Sequence, residues 1–527
     1  MKRCAFGFVV AVVLAATVSV TRVTAAPLSC GDLAATRLKD GQVLSADLVD
    51  AGQFVPPAGV TIAPDSIKGL PAFCRVSAKL TSSPDSDIRI EVWLPRSGWN
   101  GRYMGIGNGG AGGFINYVNA NGPSLASALR DGFATSSTDT GHRGANDDFS
   151  FGRDHREQRI DYHYRAVHET ALAAKGVIRA FYGGAPHFSY FSGCSDGGRQ
   201  GLIEAQRYPA DYDGVLVCGP AVNRTGSLAT QVWVAQAVAA EPRVEIAQST
   251  LSMVHAAVLA SCDSLDGVQD GLIDEPAKCH FDPASLVCTG LESDRCLSPA
   301  QVTVLKRFYS GPRNSNGETI GSGFLPGAET DPDGVLWSCW NCKGSAFHRA
   351  SIVFQGMFDA HFAVNTFNFD RDLQALEKTE DAKLTNANDP NLKPFMDRGG
   401  KLIIVHGWSD AADPAMLSVK YYEHVVSVMG ADTAAQFFRL YMTPGVYHNA
   451  SHGPGPTAFP GPMLRALEAW VENKTAPEAV VATTYETDGD PSSGILRTRP
   501  LCPYPQVARY RGSGNIDAAA SSVCRVP

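Results

Sequence analysis

The run Gly193-Cys194-Ser195-Asp196-Gly197 sets a serine between glycines. It stands between residues 188–191, which read as a strand, and residues 198–207, which read as a helix stopped at Pro209. A sharp strand-to-helix turn needs glycines because side chains would clash there, and it lifts the serine oxygen clear of a sheet. A hydroxyl is a weak nucleophile until a base takes its proton, and the base needs a carboxylate to orient it. Two later loops supply these groups in the order Ser, Asp, His. Residues 401–405 read as a strand and lead into His406-Gly-Trp-Ser-Asp410, which puts Asp410 at a strand's carboxyl end. Residues 436–442 read as another strand and lead into Thr443-Pro-Gly-Val-Tyr-His448. Asp410 and His448 are the expected acid and base. Asp413 and His452 are their rivals, and His406 is a further histidine nearby.

A carbonyl under attack by such a serine gathers negative charge on its oxygen, so donors must face it. The loop Gly105-Ile-Gly-Asn-Gly-Gly-Ala-Gly-Gly113 follows a strand and contains GxGxxG. A dinucleotide site needs a helix at once and an acidic residue about twenty positions on. Asp131 has the spacing, but Phe-Ile-Asn-Tyr-Val-Asn-Ala-Asn-Gly-Pro is a poor helix start. An oxyanion loop fits better, with the amide of Gly109 or Gly110 partnered by that of Asp196.

Asp263-Ser-Leu-Asp266-Gly-Val-Gln-Asp270-Gly-Leu-Ile-Asp274 crowds carboxylates into a turn between Cys262 and Cys279. Hard oxygen ligands with turn-making glycines suit calcium, although the glycine falls too early for an EF-hand and no Glu closes the loop. Asp263, Asp266 and Asp270 would supply charge and the carbonyls of Val268 and Leu272 neutral oxygens. Such an ion would be structural. The lone Cys339-Trp-Asn-Cys342 lacks a second ligand pair and does not read as a zinc site.

The elements that hold these groups alternate. Ile88, Ile90, Val92 and Leu94 interleave with Arg89, Glu91 and Trp93, the pattern of a half-buried strand. Short apolar runs follow at 103–106 and 133–137, and a helical pattern over 160–182 puts Val167, Leu172, Ala174, Val177, Ile178 and Phe181 on one side. Residues 214–218 read as a strand and 415–428 as a helix. From about residue 223 to 398 the alternation lapses into a loop-rich stretch. The economical account is an α/β parallel-sheet domain interrupted by a large insertion.

A net charge of -8 over 527 residues, with no basic run, gives no footprint for nucleic acid. Lys2 and Arg3 precede an apolar stretch from Ala5 to Val20 and small residues Val23-Thr-Ala-Ala26, the order of a secretory signal peptide. The mature chain is expected to begin near Ala26 or Pro27, to be secreted or periplasmic, and to have no membrane-spanning part. Of 13 cysteines Cys4 leaves with the leader, and the even remainder suits an oxidising compartment.

At these residues the sequence resembles the tannase and feruloyl esterase family, which includes the mono(2-hydroxyethyl) terephthalate hydrolases. The likeness is densest over Tyr164-Arg-Ala-Val-His168, Tyr190-Phe-Ser-Gly-Cys-Ser-Asp-Gly-Gly-Arg-Gln-Gly201 and Tyr208-Pro-Ala-Asp-Tyr-Asp-Gly214. It extends to Thr138-Asp-Thr-Gly-His142, the acidic turn, His406-Gly-Trp-Ser-Asp410 and Gly453-Pro-Gly-Pro456. The resemblance implies an α/β-hydrolase core, residues 27–222 and 398–527, carrying a lid domain at 223–397 that holds the calcium. It implies nucleophile, acid and base at Ser195, Asp410 and His448, and calcium ligands at Asp263, Asp266, Val268, Asp270 and Leu272. It also implies disulfides Cys30–Cys74, Cys262–Cys279, Cys288–Cys296 and Cys502–Cys524.

One departure stands beside the nucleophile. In the family the cysteine before the serine pairs with a cysteine directly after the catalytic histidine. Here His448 is followed by Asn449, so Cys194 must look elsewhere. Cys218 is the expected partner, because the two end strands that would be neighbours.

The expected activity is hydrolysis of an aromatic ester (hydroxycinnamoyl, galloyl or a related phenolic acyl group) through an acyl-enzyme. Residues 337–369 hold Trp337, Trp340, Phe347, Phe354, Phe358, Phe362, Phe367 and Phe369. They are candidates for an apolar slot or for the core of their own segment, with Arg349 or His348 available for a phenol or carboxylate. The competing readings are an esterase for polyester fragments or aliphatic esters, and a non-catalytic, calcium-stabilised binding protein.

Overall fold

A computed structural model describes Met1 and residues 27–119, 122–240, 244–291, 293–332, 346–450 and 452–527. The leader and the Cys339, Cys342, Trp337 and Trp340 positions lie outside the described residues, as do the side chains of Phe347 and His348. Ten strands form one sheet: β1 (Arg37–Leu38), β2 (Gly41–Val49), β3 (Phe73–Leu80), β4 (Ile88–Pro95), β5 (Arg102–Ile106), β6 (Ala134–Thr138), β7 (Phe188–Cys194), β8 (Gly214–Cys218), β9 (Lys401–Gly407) and β10 (Phe438–Thr443). Their order is β1-β2-β3-β4-β6-β5-β7-β8-β9-β10. The sheet is mixed rather than wholly parallel. Pairings from β1 to β4, and that of β4 with β6, are antiparallel; every pairing from β6 to β10 is parallel.

The parallel strands are covered on both faces, so they read as unbroken apolar runs. The two-residue period divides them between two cores. Val215, Val217, Leu402 and Ile404 join one with helix α1 (Ala166–Tyr182) and helix α2 (Asp196–Arg207). Leu216, Ile403 and Val405 join the other with Met463 and Leu467 of the Gly461–Asn473 helix. The same cover corrects the reading of β4 as half-buried, since Glu91 and Trp93 are buried too. Glu91 is accommodated by Arg75, Tyr117 and the Trp93 indole, which donate to its carboxylate. Leu172, placed on the apolar side of α1 by its spacing, is exposed.

Between β8 and β9 the alternation of strand and helix does lapse, and 263–298 and 311–332 are loops and short turns, but the chain carries more helix than its composition suggests. It forms helix α3 (Arg224–Ala240), helices Gln248–Cys262, Pro299–Ser310 and Ala346–Met357, and shorter turns, gathered around a third core. That these helices were missed has a physical cause. Helix α3 buries Thr225, Ser227, Thr230 and Gln231 along with Leu228, Val232 and Val238, so it is enclosed on all sides and shows no one-sided apolar stripe.

Five disulfides occur among the described residues. Four are the pairs implied by the family resemblance. The fifth is Cys194–Cys218, between residues directly opposite in the β7–β8 ladder. No helix among the described residues is long and apolar enough to cross a membrane.

Candidate active site

Ser195 caps β7 where the chain turns into α2, with φ 58° and ψ -122°. A serine with positive φ is strained by roughly 1–3 kcal/mol and persists only where its surroundings fix it. Its amide donates to the Cys218 carbonyl at 2.9 Å, and its carbonyl accepts from Ala221 at 3.2 Å. The flanking glycines leave no room for a side chain: a Cβ on Gly193 would stand 2.5 Å from the Gly197 oxygen.

Asp410 and His448 follow β9 and β10, so all three groups stand at the carboxyl ends of parallel strands, with β8 between the serine strand and the other two. His448 Nδ1 lies 2.7 Å from Asp410 Oδ2. The other carboxylate oxygen accepts from the amides of Ala412 and Asp413, each at 2.8 Å. The rivals are disposed otherwise. Asp413 accepts from the Ser227 hydroxyl at 2.5 Å, while the His452 carbonyl accepts from the Tyr447 amide and its ring packs edge-on to Tyr447. Burial works to keep His448 neutral, but the Asp410 carboxylate prevails and raises its pKa from 6.5 to about 9. Burial also opposes the charge on Asp410, yet the two imidazoles beside it hold its pKa well below the ordinary carboxylate range.

Three further groups support this pair, and only His406 of them stands near it in the sequence. His406 Nε2 lies 3.1 Å from the same Asp410 Oδ2, and its Nδ1 lies 2.7 Å from the Ser418 hydroxyl. A neutral His406 with its proton on Nε2 satisfies both contacts. Asp331, from the insertion, accepts from the Ala411 amide at 2.9 Å and the His448 amide at 3.2 Å, tying the acid and base loops together. Gly219, at φ 43°, approaches so closely that a Cβ there would meet Asp410 Oδ2 at 3.2 Å and His448 Nδ1 at 3.4 Å.

Ser195, His448, Gly109 and Gly110 line one cleft of about 410 Å³. The carbonyls of Gly109 and Gly110 are taken by the Gly112 amide and the Tyr162 hydroxyl, at 3.0 and 3.1 Å. Gly110 has φ 57° and backs onto Asn146, whose oxygen would lie 2.3 Å from any Cβ. The Asp196 amide stands at the first position of α2, where a helix has no acceptor of its own. The Asp196 side chain points away into a buried bidentate pair with Arg199, at 2.6 and 3.0 Å. Arg199 in turn donates to the carbonyls of His163 and Tyr162. Cys194 Sγ lies 3.9 Å from the Asn449 carbonyl oxygen, so the nucleophile turn still touches the histidine loop without a covalent link.

The aromatic run in the insertion mostly fills its own core. Phe354 stacks on Phe362 at 4.0 Å, and Phe354, Phe367 and Phe369 are buried together. Phe114, Phe149, Ile352 and Val353 line the cleft instead, and so does Arg349.

The acidic turn folds on its own carboxylates. Asp263 accepts from the amides of Asp270 and Gly271, Asp266 from Val268, and Asp270 from Leu272. Among the described residues, the oxygens of Asp263, Asp266 and Asp270 do not all gather within 4.8 Å of one another. Arg499 pairs with Asp270 and Asp274, and Arg497 stands 3.7 Å from Asp270, so two cations meet part of the turn's charge. Asp270 Oδ2 is buried without a hydrogen-bond partner, with Arg499 packed against it. Burial pushes Asp266 above the usual carboxylate range and, with Asp266 beside it, Asp274 well above. Crowded hard donors with an unsatisfied oxygen fit a divalent cation.

His168, Glu204 and Asp211 form a second polar cluster, behind α1 and α2. His168 Nδ1 lies 2.6 Å from Asp211 Oδ2, and Lys175 donates to the Asp211 carbonyl. Burial and the neighbouring Asp211 push Glu204 well above the carboxyl range. Both carboxylate oxygens of Glu204 are buried without a hydrogen-bond partner.

A serine elbow raised over the parallel half of such a sheet places the protein among the α/β-hydrolases. Within that class the likeness is specific. The family model of tannase and feruloyl esterase matches residues 74–525. An uncharacterized esterase of Xanthomonas campestris pv. campestris is 36% identical over 97% of this chain and 93% of its own length. Mono(2-hydroxyethyl) terephthalate hydrolase of Piscinibacter sakaiensis is 33% identical over 88% of this chain and 86% of its own. The crystal structure of feruloyl esterase B from Aspergillus oryzae aligns with a TM-score of 0.81 at 28% identity, over 94% of this chain and 99% of that one. The chain belongs to the tannase and feruloyl esterase family and is a carboxylic-ester hydrolase.

Proposed function

We propose that this protein hydrolyses aromatic carboxylic esters through an acyl-enzyme on Ser195. The 2.7 Å contact of Asp410 with His448, on the cleft that Ser195 lines, carries the reading. His448 Nε2 takes the Ser195 proton as the oxygen attacks the ester carbonyl. The amides of Gly109 or Gly110 and of Asp196 receive the oxyanion, each donor contributing about 3 kcal/mol of transition-state stabilisation. His448 then returns the proton to the leaving alcohol, and a water activated by the same ring frees the acid. Asp410 stays ionised throughout, fixing the tautomer and stabilising the imidazolium.

The cleft's aromatic walls, Phe114 and Phe149, suit a planar acyl group better than an aliphatic one. Calcium belongs to the same reading. Asp263, Asp266 and Asp270 with the carbonyls of Val268 and Leu272 would hold it, and it would brace the insertion, taking no part in the chemistry. The leader and the disulfides support export from the cytoplasm.

The test is a panel of feruloyl, galloyl, terephthaloyl and butyryl esters, run with the wild type and Ser195→Ala. Turnover of the aromatic esters by the wild type alone is expected. Equal turnover by both proteins, or a preference for butyryl esters, overturns the reading.

A further inference from the structure

His168, Glu204 and Asp211 come from three different elements. His168 lies in the first turn of α1, Glu204 near the end of α2, and Asp211 in the turn that leads into β8. One ligand atom from each stands within 4.8 Å of the other two. Among the described residues, no other three histidine, cysteine, aspartate or glutamate side chains gather so closely.

Glu204 is 1% exposed, and among the described residues no donor reaches either of its oxygens. Other buried carboxylates of this molecule are satisfied: Glu91 by Arg75, Trp93 and Tyr117, Asp196 by Arg199, and Glu329 by Tyr309 and the Gly327 amide. What lies against Glu204 is a second acceptor, the Asp211 carboxylate. Lys175 is adjacent, but its ammonium donates to the main-chain carbonyl of Asp211, and burial lowers its pKa. Two facing acceptors taken out of water need a positive centre between them. A shared proton serves one oxygen of Glu204 and leaves the other unpartnered. A divalent ion draws on both carboxylates and the imidazole at once.

We propose that His168, Glu204 and Asp211 hold a zinc ion. An imidazole nitrogen beside carboxylate oxygens suits zinc, whereas calcium takes about six to eight oxygens. The ion takes the place of the proton between His168 Nδ1 and Asp211 Oδ2, which stand 2.6 Å apart. The His168 ring is fixed by stacking on Tyr208, with centroids 3.7 Å apart. Its side chain is 21% exposed, so the cluster opens to solvent on that side and a water can complete the coordination. The site clasps α1 to the end of α2 opposite Ser195 and takes no part in ester cleavage.

The test keeps calcium in excess, strips the purified protein with a zinc-selective chelator and titrates zinc back. Bound zinc is counted by elemental mass spectrometry, beside melting curves, in wild type, Glu204→Gln and His168→Gln. About one zinc per chain and a higher melting temperature are expected of wild type. Losing an outer-shell partner costs a metal site about 10- to 100-fold in affinity, so either variant, lacking a direct ligand, should bind at least about a hundred-fold more weakly. Fluorophosphonate labelling of Ser195 reports whether each variant is folded, and His168→Gln, at the exposed edge, carries the test should Glu204→Gln not fold. Wild type that binds no zinc overturns the proposal and leaves a shared proton in the cluster. Zinc held equally by wild type and both variants also overturns it, because the ion then sits elsewhere.

Discussion

His406 and His448 share one oxygen of Asp410, with ring nitrogens 3.1 and 2.7 Å from its Oδ2. The first ring is fully buried and hydrogen-bonded to Ser418, so it fixes the carboxylate that in turn orients the second. His406→Asn is expected to lower kcat about tenfold with little change in KM, since losing a bond to a charged group costs about 1.5–3 kcal/mol. Steady-state kinetics beside a melting curve check this. Unchanged kcat in a folded variant would show that Asp410 needs no such support.

The acid–base pair dictates a pH dependence. His448 must be neutral to accept the serine proton, and Asp410 raises its pKa to about 9. The kcat/KM of the free enzyme should therefore rise with pH through an apparent pKa well above the ordinary 6.5 of histidine. Stability runs the opposite way. The charged His448 stabilises the fold fully below its unfolded pKa, and that contribution is lost as pH rises through about 9. The depressed pKa of Asp410 adds stability above the unfolded carboxylate value, which is lost as pH falls toward the folded one. Asp410→Asn should bring the activity limb down in pH and cut kcat about ten-thousandfold.

Gly219 presses on this pair from the β8 side. Alanine there would adopt φ 43° and put a methyl group against Asp410 Oδ2, the Asn449 amide and His448 Nδ1. Gly219→Ala should lower stability by about 1 kcal/mol or more and reduce kcat more than it raises KM. Thermal melts and kinetics on one aromatic ester measure both.

The Cys194–Cys218 bridge closes a sequence separation of 24 residues around the nucleophile turn. Replacing both cysteines with alanine should cost about 3 kcal/mol of stability on the loop-closure model. A non-reducing peptide map should recover the two segments as one species. Free thiol at both positions would contradict the pairing.

Calcium removal offers a separate check on the acidic turn. A chelator should lower the melting temperature, and added calcium should restore it, because a bound ion stabilises the native state by mass action. Asp270→Asn should blunt that response while leaving Ser195 reactive. A melting temperature indifferent to both chelator and calcium would mean that Arg499 and the turn's own amides satisfy these carboxylates.

The parts of the site that could be read from the chain are those fixed by local sterics. Gly193 and Gly197 bracket Ser195 because that turn admits nothing larger, and Asp410 and His448 each follow an apolar run too short to be anything but a strand. The Cys194–Cys218 pair followed from strand adjacency once Asn449 was seen to replace the family's partner cysteine. What was hidden depends on contacts made across long stretches of chain. Asp331 reaches the acid and base loops from the insertion, and Gly219 matters only for what lies against it. The antiparallel half of the sheet was equally hidden, since β4 alternates in sequence yet is covered on both faces.

Trapping the acyl-enzyme tests the central claim most directly. Rapid acid quench during turnover of an aromatic ester, followed by peptide mass spectrometry, should find the acyl group on Ser195. It should be absent from Ser195→Ala and should accumulate in His448→Ala only if added base replaces the lost imidazole. An acyl group on another residue, or undiminished turnover by Ser195→Ala, would contradict the account.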